Sequence, residues 1–116
     1  MQRPGTDPQN VQPEDILCDF CRRATWAKDI PSIEGHHGSI ICTDCLACAW
    51  TEVVELQAGV DLEGASCTMC LEERSDPAWR SPLHEEASIC RRCIKLGGRA
   101  FRKDGQAAWG AKPDKD

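Results

Sequence analysis

The sequence predicts a small, metal-stabilised α+β fold made of two tandem cysteine modules, each with a short hairpin and one helix. Three observations support this prediction: the chain has 116 residues, its aromatic content is 5%, and its nine cysteines include four Cys-x-x-Cys pairs. A unit of about 40 residues rarely buries enough apolar surface to offset its chain entropy. Each module therefore needs a cross-link or a metal ion.

The cysteine pairs have the spacing of zinc ligands. They are Cys18 and Cys21, Cys42 and Cys45, Cys67 and Cys70, and Cys90 and Cys93. Two intervening residues let both sulfurs of a pair turn toward one point, and two pairs supply the four thiolates of a tetrahedral zinc site at about 2.3 Å per bond. The sequence predicts two zinc ions, with iron–sulfur ligation as a minor rival.

The pairs can be grouped in two ways. The intervals between successive pairs are 20, 21 and 19 residues, so spacing alone permits sequential grouping or an interleaved cross-brace. The residues around the pairs favour sequential grouping, because Ser-Ile-Ile-Cys-x-x-Cys-Leu at 39–46 resembles Ala-Ser-Ile-Cys-x-x-Cys-Ile at 87–94. Duplication of a complete four-cysteine unit leaves this pattern.

The residues after Met1 contain no apolar run typical of a signal peptide, and no stretch of the chain reaches about eighteen apolar residues. We therefore expect a cytoplasmic protein without a membrane-spanning segment. Thiols stay reduced in that compartment, which favours metal binding over disulfides.

Composition and periodicity divide the chain into five parts. These are a disordered tail at 1–15, the first module at 16–58, a glycine-containing linker at 59–66, the second module at 67–103 and a disordered tail at 104–116. Apolar residues at helical spacing predict a helix from Thr43 that ends at Gly59. In the second module, Gly97 and Gly98 predict that the helix ends or kinks, since two internal glycines cost about 2 kcal/mol.

Several other side chains bear on the metal sites. Trp26 is expected to pack across the first site. His36 and His37 lie in a Gly-His-His-Gly turn that we interpret as solvated, because the cysteines already complete two sets of four. The ninth cysteine, Cys48, aligns with Leu96 of the repeat and is interpreted as a small buried apolar position, although it lies near enough to compete for metal.

Charge is unevenly distributed. The formal net charge is −5, and two four-thiolate zinc sites would take it to about −9, which disfavours wholesale attraction to nucleic acid. Arg22 and Arg23 are placed either to offset thiolate charge or to form an exposed charge pair, and the second interpretation is simpler. A basic stripe at near-helical spacing consists of Arg91, Lys95, Arg99 and Arg102.

The arrangement Cys-x-x-Cys, an interval near twenty, then Ile-Cys-x-x-Cys-Leu-x-x-Cys leading into a helix resembles the N-terminal zinc-binding domain of the ClpX chaperone family. The resemblance implies two treble-clef-like modules. It also implies Cys18, Cys21, Cys42 and Cys45 as one ligand set and Cys67, Cys70, Cys90 and Cys93 as the other. That domain dimerises and recruits adaptors and substrates. The chain has no Gly-x-x-x-x-Gly-Lys-Ser/Thr loop, so it is not a ClpX unfoldase.

The predicted function is a non-catalytic zinc-binding module for protein–protein interaction, acting in recruitment and able to form a homodimer. The helix face around Trp50, Val53 and Val54 is a candidate contact surface, or else the module's own core or the seam between the modules. The alternative is nucleic-acid binding through the basic stripe. Enzymatic chemistry is not expected, because four thiolates close the zinc coordination shell and a catalytic Cys-x-x-Cys normally occurs once.

Overall fold

The computed structural model describes residues 1–62, 64–73 and 75–103, with only the backbone of residues 102 and 103. The predicted disordered tail at 104–116, including Trp109, lies outside the described residues, as does the Arg102 side chain of the basic stripe. Within the described part, the chain forms a small α+β structure in which two short hairpins each lead into one helix.

The first module begins with the turn Cys18–Cys21. Strand β1, Ser32–Glu34, pairs antiparallel with β2, Ile40–Cys42, so that Ser32 lies opposite Cys42. Helix α1, Thr43–Ala49, follows β2 without a loop and continues as a π-helical segment, Trp50–Glu55. The hairpin therefore delivers Cys42 to the start of the helix.

The second module repeats this order after the turn Cys67–Cys70. Strand β3, Ala78–Arg80, pairs antiparallel with β4, Ser88–Cys90, and Ala78 lies opposite Cys90. Helix α2, Arg91–Lys103, follows directly. Both hairpins thus end on a cysteine that immediately precedes a helix.

Backbone hydrogen bonds recur at equivalent positions of the two modules. The Thr43 N–H donates to the Pro31 carbonyl at 2.8 Å, and the Arg91 N–H donates to the Pro77 carbonyl at 2.9 Å. Each bond joins the first residue of a helix to the proline before its hairpin. The orientation of helix against hairpin is therefore fixed in the same way in both modules.

The contacts between the modules are reciprocal. The Ser81 hydroxyl, just after β3, donates to the Phe20 carbonyl in the first cysteine turn at 2.6 Å. The His36 N–H, just after β1, donates to the Met69 carbonyl in the second cysteine turn at 2.9 Å. Each module therefore binds the other module's cysteine turn with the loop after its own first strand, as two copies do around a twofold axis.

One apolar core runs through both modules. The Phe20 ring stacks on Trp79 of β3, with ring centroids 5.8 Å apart. Leu46 of α1 and Ile94 of α2 are fully buried in the same core. The two modules therefore bury their apolar side chains against each other as well as within themselves.

The candidate contact face of the first helix lies in this seam. Trp50 and Val53 are 5% and 1% exposed, and Val54 is half-buried. The segment that carries them contacts both α2 and β3. The structure therefore agrees with the interpretation of this face as the seam between the modules.

Two glycines have a different role from the predicted one. Helix α2 runs through Gly97 without ending. A Cβ at this position would meet a Leu46 methyl group at 2.7 Å, so glycine lets the two helices approach closely. At Gly59 a Cβ would meet Pro77 at 2.6 Å. The first helix already ends at Glu55, with Leu56 as its C-cap and Gln57 at φ 54°. Both glycines allow close packing between elements instead of stopping a helix.

The N-terminal segment at 1–15, which the sequence predicts to be a disordered tail, makes contacts with the first module. The Met1 amino group donates to the Leu17 carbonyl at 2.6 Å and lies 3.2 Å from the Asp19 carboxylate. A 3₁₀ turn spans Pro13–Asp15, and Asp15 pairs with Arg3. The segment is held to the first module at both of its ends.

Among the described residues, no helix has both the length and the apolar character that crossing a bilayer requires.

Candidate metal centres

The structure gathers the eight paired cysteines into two separate clusters. One contains Cys18, Cys21, Cys42 and Cys45, and the other contains Cys67, Cys70, Cys90 and Cys93. All sulfurs of a cluster lie within 4.8 Å of one another. The grouping is sequential, so the interleaved cross-brace is not the arrangement of this chain.

The sulfur separations match a tetrahedral metal site. The Cys18–Cys45 and Cys21–Cys42 sulfur pairs are 3.9 and 3.8 Å apart. A tetrahedron with bonds of about 2.3 Å has edges of about 3.8 Å, which is the geometry of zinc held by four cysteines. The sulfur positions therefore suit an ion at the centre of the first cluster.

The second cluster has the same dimensions. Its Cys67–Cys93 and Cys70–Cys90 sulfur pairs are both 3.9 Å apart. Thus the donor set and the spacing are those of a metal ion in both modules.

Local backbone geometry orients the sulfurs. The Cys42 N–H points at the Cys18 sulfur at 3.4 Å, and the equivalent Cys90 N–H points at the Cys67 sulfur at 3.3 Å. Cys42 also caps α1, since its sulfur accepts from the Cys45 N–H at 3.5 Å. Such N–H groups stabilise thiolate over thiol, as the position of these cysteines at a helix start predicts.

An arginine covers one side of the first cluster. The Arg23 guanidinium lies 3.3 Å from the Cys21 sulfur and 3.2 Å from the Cys42 sulfur, and it also binds the Asp44 carboxylate at 2.8 Å. Hydrogen bonds with Cys21, then Asp44 and then Cys42 raise the pKa of Arg23. Arg23 thus contacts two cysteine sulfurs and also forms an exposed ion pair, so both interpretations of this residue find support.

Arg22, the neighbouring residue, points elsewhere. Its guanidinium binds Glu86 of the second module at 2.6 Å and the Asp19 carbonyl at 3.2 Å. Sequence reasoning considered Arg22 and Arg23 together, but adjacent residues of a tight turn face different ways. Only one of the two arginines contacts the cysteine cluster.

The close packing of the sulfurs raises the pKa of some of the thiols in each cluster. Hydrogen bonds with Cys18 and then Cys42, together with burial, raise the pKa of the Cys45 thiol. The pKa of the equivalent Cys93 thiol is raised by Cys67, then by Cys90 and burial. Four sulfurs this close repel one another when all are ionised, so a complete set of thiolates requires a cation among them.

Three predictions about neighbouring residues have different outcomes. Cys48 is exposed, so its interpretation as a buried position is wrong, and its sulfur belongs to neither cluster. Trp26 is 55% exposed and does not pack across the first site as predicted. His36 and His37 are exposed and lie outside both clusters, in agreement with their interpretation as a turn.

The basic stripe is not a continuous surface. Arg99 is exposed and Arg91 is half-buried, but Lys95 is only 8% exposed and packs within the protein. Helical spacing predicts that these side chains share one exposed face of α2, but part of that face is buried at Lys95. The described part of the stripe thus offers fewer cations to a polyanion than the sequence suggested.

Comparison of the chain with models of protein families, with characterised proteins and with solved structures finds no match.

Proposed function

We propose that this chain is a non-catalytic zinc-binding protein that holds two zinc ions for structural purposes and recruits a protein partner. The observation that carries the proposal is the pair of closed, mostly buried four-sulfur clusters. Four thiolates with tetrahedral spacing select zinc over harder cations such as calcium and magnesium. Zinc would neutralise half of the thiolate charge and join the cysteine turn, hairpin and helix of each module.

The closed sulfur sets support a structural role. Catalysis by zinc needs an open coordination position for water or substrate, and four cysteines leave none. The order of turn, hairpin and helix, with the last two cysteines at the helix start, supports the treble-clef-like arrangement implied by the resemblance to the ClpX zinc-binding domain. Here the two modules pair within one chain, so the homodimer implied by that resemblance is not needed to bury the seam.

Exposed apolar side chains support a role in recruitment. Leu83, at the tip of the β3–β4 loop, is 68% exposed, and Leu56, at the end of the first helix, is 67% exposed. Large exposed apolar groups at the ends of elements are available to a partner without unfolding the core. The partner is expected to be a protein that covers apolar groups, since the holo protein is acidic overall.

Native mass spectrometry tests the zinc part of the proposal. The intact chain should carry two zinc ions, and a chelator should remove both. A brown protein with iron, or a chain that binds no metal at all, would refute this part. Zinc thiolates are colourless in visible light, so the distinction from an iron–sulfur cluster is immediate.

Photo-crosslinking tests the recruitment part. A photo-reactive amino acid is placed at Leu83 in living cells, with exposed Arg80 of the same hairpin as the matched control position. A discrete protein adduct at position 83 that is weaker at position 80 is expected. An adduct to RNA or DNA that disappears at high salt would favour the nucleic-acid alternative instead. The absence of any adduct at position 83 would contradict recruitment through this loop.

A further inference from the structure

The reciprocal pairing of the modules creates two equivalent clefts. Each lies between the cysteine turn and helix of one module and the first strand and following loop of the other. Ile33 of β1 lies opposite Ile41, and Trp79 of β3 lies opposite Ile89, so Ile33 and Trp79 occupy the same place in their hairpins. The two clefts can therefore be compared position by position.

The cleft beside the first cluster is filled. Trp79 extends into it and stacks on Phe20 of the cysteine turn. A cavity of about 140 Å³ remains, and Cys45 is the one ligand residue of the first cluster in its wall. The aromatic pair therefore shields the sulfurs on this side.

The cleft beside the second cluster is open. Smaller side chains, Ile33 and Met69, stand where the other cleft has Trp79 and Phe20, and the cavity measures about 330 Å³. Two residues of the second cluster, Cys70 and Cys93, form part of its wall, and both are only half-buried. The first cluster has one half-buried cysteine, Cys21, which does not line the filled cleft, whereas both half-buried cysteines of the second cluster line the open one.

The charged residue two positions after each cysteine turn also differs between the modules, although Arg92 of α2 lines the open cleft as well. Arg23 lies two residues after Cys21 and binds two sulfurs of the first cluster. The equivalent position, two residues after Cys70, holds Glu72. A guanidinium that hydrogen-bonds a metal-bound thiolate withdraws electron density from the sulfur and lowers its nucleophilicity, and a carboxylate at that position has no such effect.

We propose that Cys70 and Cys93 are the site at which peroxides oxidise the metal-loaded protein. One thiolate attacks hydrogen peroxide, the O–O bond breaks, hydroxide leaves and a sulfenic acid forms. The second thiolate attacks that sulfur, a disulfide forms and a second hydroxide leaves. Two electrons pass from the two sulfurs to peroxide. The sulfurs lie within 4.8 Å of each other, so the bond forms with little movement, and the second module then retains only two thiolate ligands.

The experiment uses the full chain carrying Cys48→Ser, since Cys48 is an exposed thiol outside both clusters. The inference rests on the proposed zinc sites, so zinc content is measured first. A chain without zinc would refute the proposed function, whereas two zinc ions lost at equal rates would refute only this inference. Hydrogen peroxide is then added, released zinc is followed with a chromogenic chelator, and oxidised cysteines are mapped by peptide mass spectrometry.

Zinc release should occur in two phases. The first equivalent should leave at least about tenfold faster than the second, because thiolate exposure and nucleophilicity control oxidation rates. A Cys70–Cys93 disulfide should accumulate with the first phase. Release of the first equivalent together with oxidation of Cys18, Cys21, Cys42 or Cys45 would overturn the proposal.

Two variants separate the causes. Ile33→Trp copies the filled cleft and should slow the fast phase several-fold without changing the slow phase. Arg23→Gln removes the guanidinium from the first cluster and should accelerate the slow phase alone. Both variants must first be shown to hold two zinc ions. If Ile33→Trp does not fold, two measurements still test the proposal. They are the map of oxidised cysteines in the Cys48→Ser protein and the zinc-release rates of Arg23→Gln.

Discussion

The two modules share a plan but differ in how they protect their sulfurs. The first buries three of its four ligand cysteines, binds Arg23 to two sulfurs and is covered by the Phe20–Trp79 stack. The second buries two, and Cys70 and Cys93 line an open cleft. Geometry of the sulfurs is thus the same in both modules, while the surroundings that control stability and reactivity have diverged.

The largest expected effect comes from removing one ligand in either module. Cys18→Ser and Cys67→Ser should each reduce the zinc content from two ions to one, because three thiolates and a hydroxyl bind zinc weakly at neutral pH. The amide NMR signals of the affected module should lose their dispersion. Zinc content by native mass spectrometry and ¹H–¹⁵N spectra measure both outcomes.

Cys48→Ser is the matched control for these variants and should retain two zinc ions, since Cys48 lies outside both clusters. If Cys18→Ser or Cys67→Ser also kept two ions, the ligand sets would be wrong.

The next effect distinguishes the filled cleft from the open one. Trp79→Ala should lower the free energy of unfolding by about 3–5 kcal/mol, because a large buried side chain and its stack on Phe20 are lost. Ile33→Ala at the equivalent position should cost clearly less, since Ile33 is only half-buried. Chemical denaturation of the zinc-loaded proteins measures both values. Equal losses would show that the two clefts do not differ as described.

The seam between the helices provides a smaller effect. Gly97→Ala should destabilise the protein by about 1–3 kcal/mol, although alanine favours helix, because its Cβ would lie 2.7 Å from a Leu46 methyl group. Thermal unfolding of the zinc-loaded chain measures the change. In the Leu46→Val background the same substitution should cost less, since the clashing methyl group has moved. Stabilisation by Gly97→Ala in the native background would contradict close packing of α1 on α2.

The smallest effect concerns the residue after each cysteine turn. Leu71 has φ 62°, a conformation that costs a side chain about 1–2 kcal/mol. Leu71→Gly should therefore stabilise the second module by about 0.5–1 kcal/mol after the entropy of glycine is deducted. Arg22→Gly, at φ 65°, should gain less because it also removes the ion pair with Glu86. Thermal unfolding measures the stability of both variants. A loss of stability in Leu71→Gly would contradict backbone strain at Leu71.

The sequence predicted the parts of the fold that depend on local spacing. The cysteine pairs, their sequential grouping and the start of each helix directly after Cys42 and Cys90 follow from short motifs that repeat along the chain. The alignment of Cys48 with Leu96 also agrees with the structure, because both side chains are exposed. Its interpretation as a buried position failed because apolar character alone does not determine which face of a helix is covered.

Other features depended on contacts between distant segments. From the sequence alone Gly97 is interpreted as a helix breaker, because its close contact with Leu46 is not visible there. The sequence predicts that Trp26 covers the first site. In the structure Trp79 of the other module stacks on Phe20 beside that site. Reciprocal packing of two duplicated units is not encoded in the spacing of either unit, so these contacts required the structure.

We infer that two metal ions, each held by the four paired cysteines of one module, maintain the fold, because the apolar core alone is too small to offset the chain entropy. The most direct test is a ¹H–¹⁵N NMR spectrum recorded before and after a chelator removes both ions, with the metal count checked by native mass spectrometry. We predict a dispersed spectrum with two ions bound and a collapsed, coil-like spectrum without them. A well-dispersed spectrum of the metal-free protein would contradict the claim.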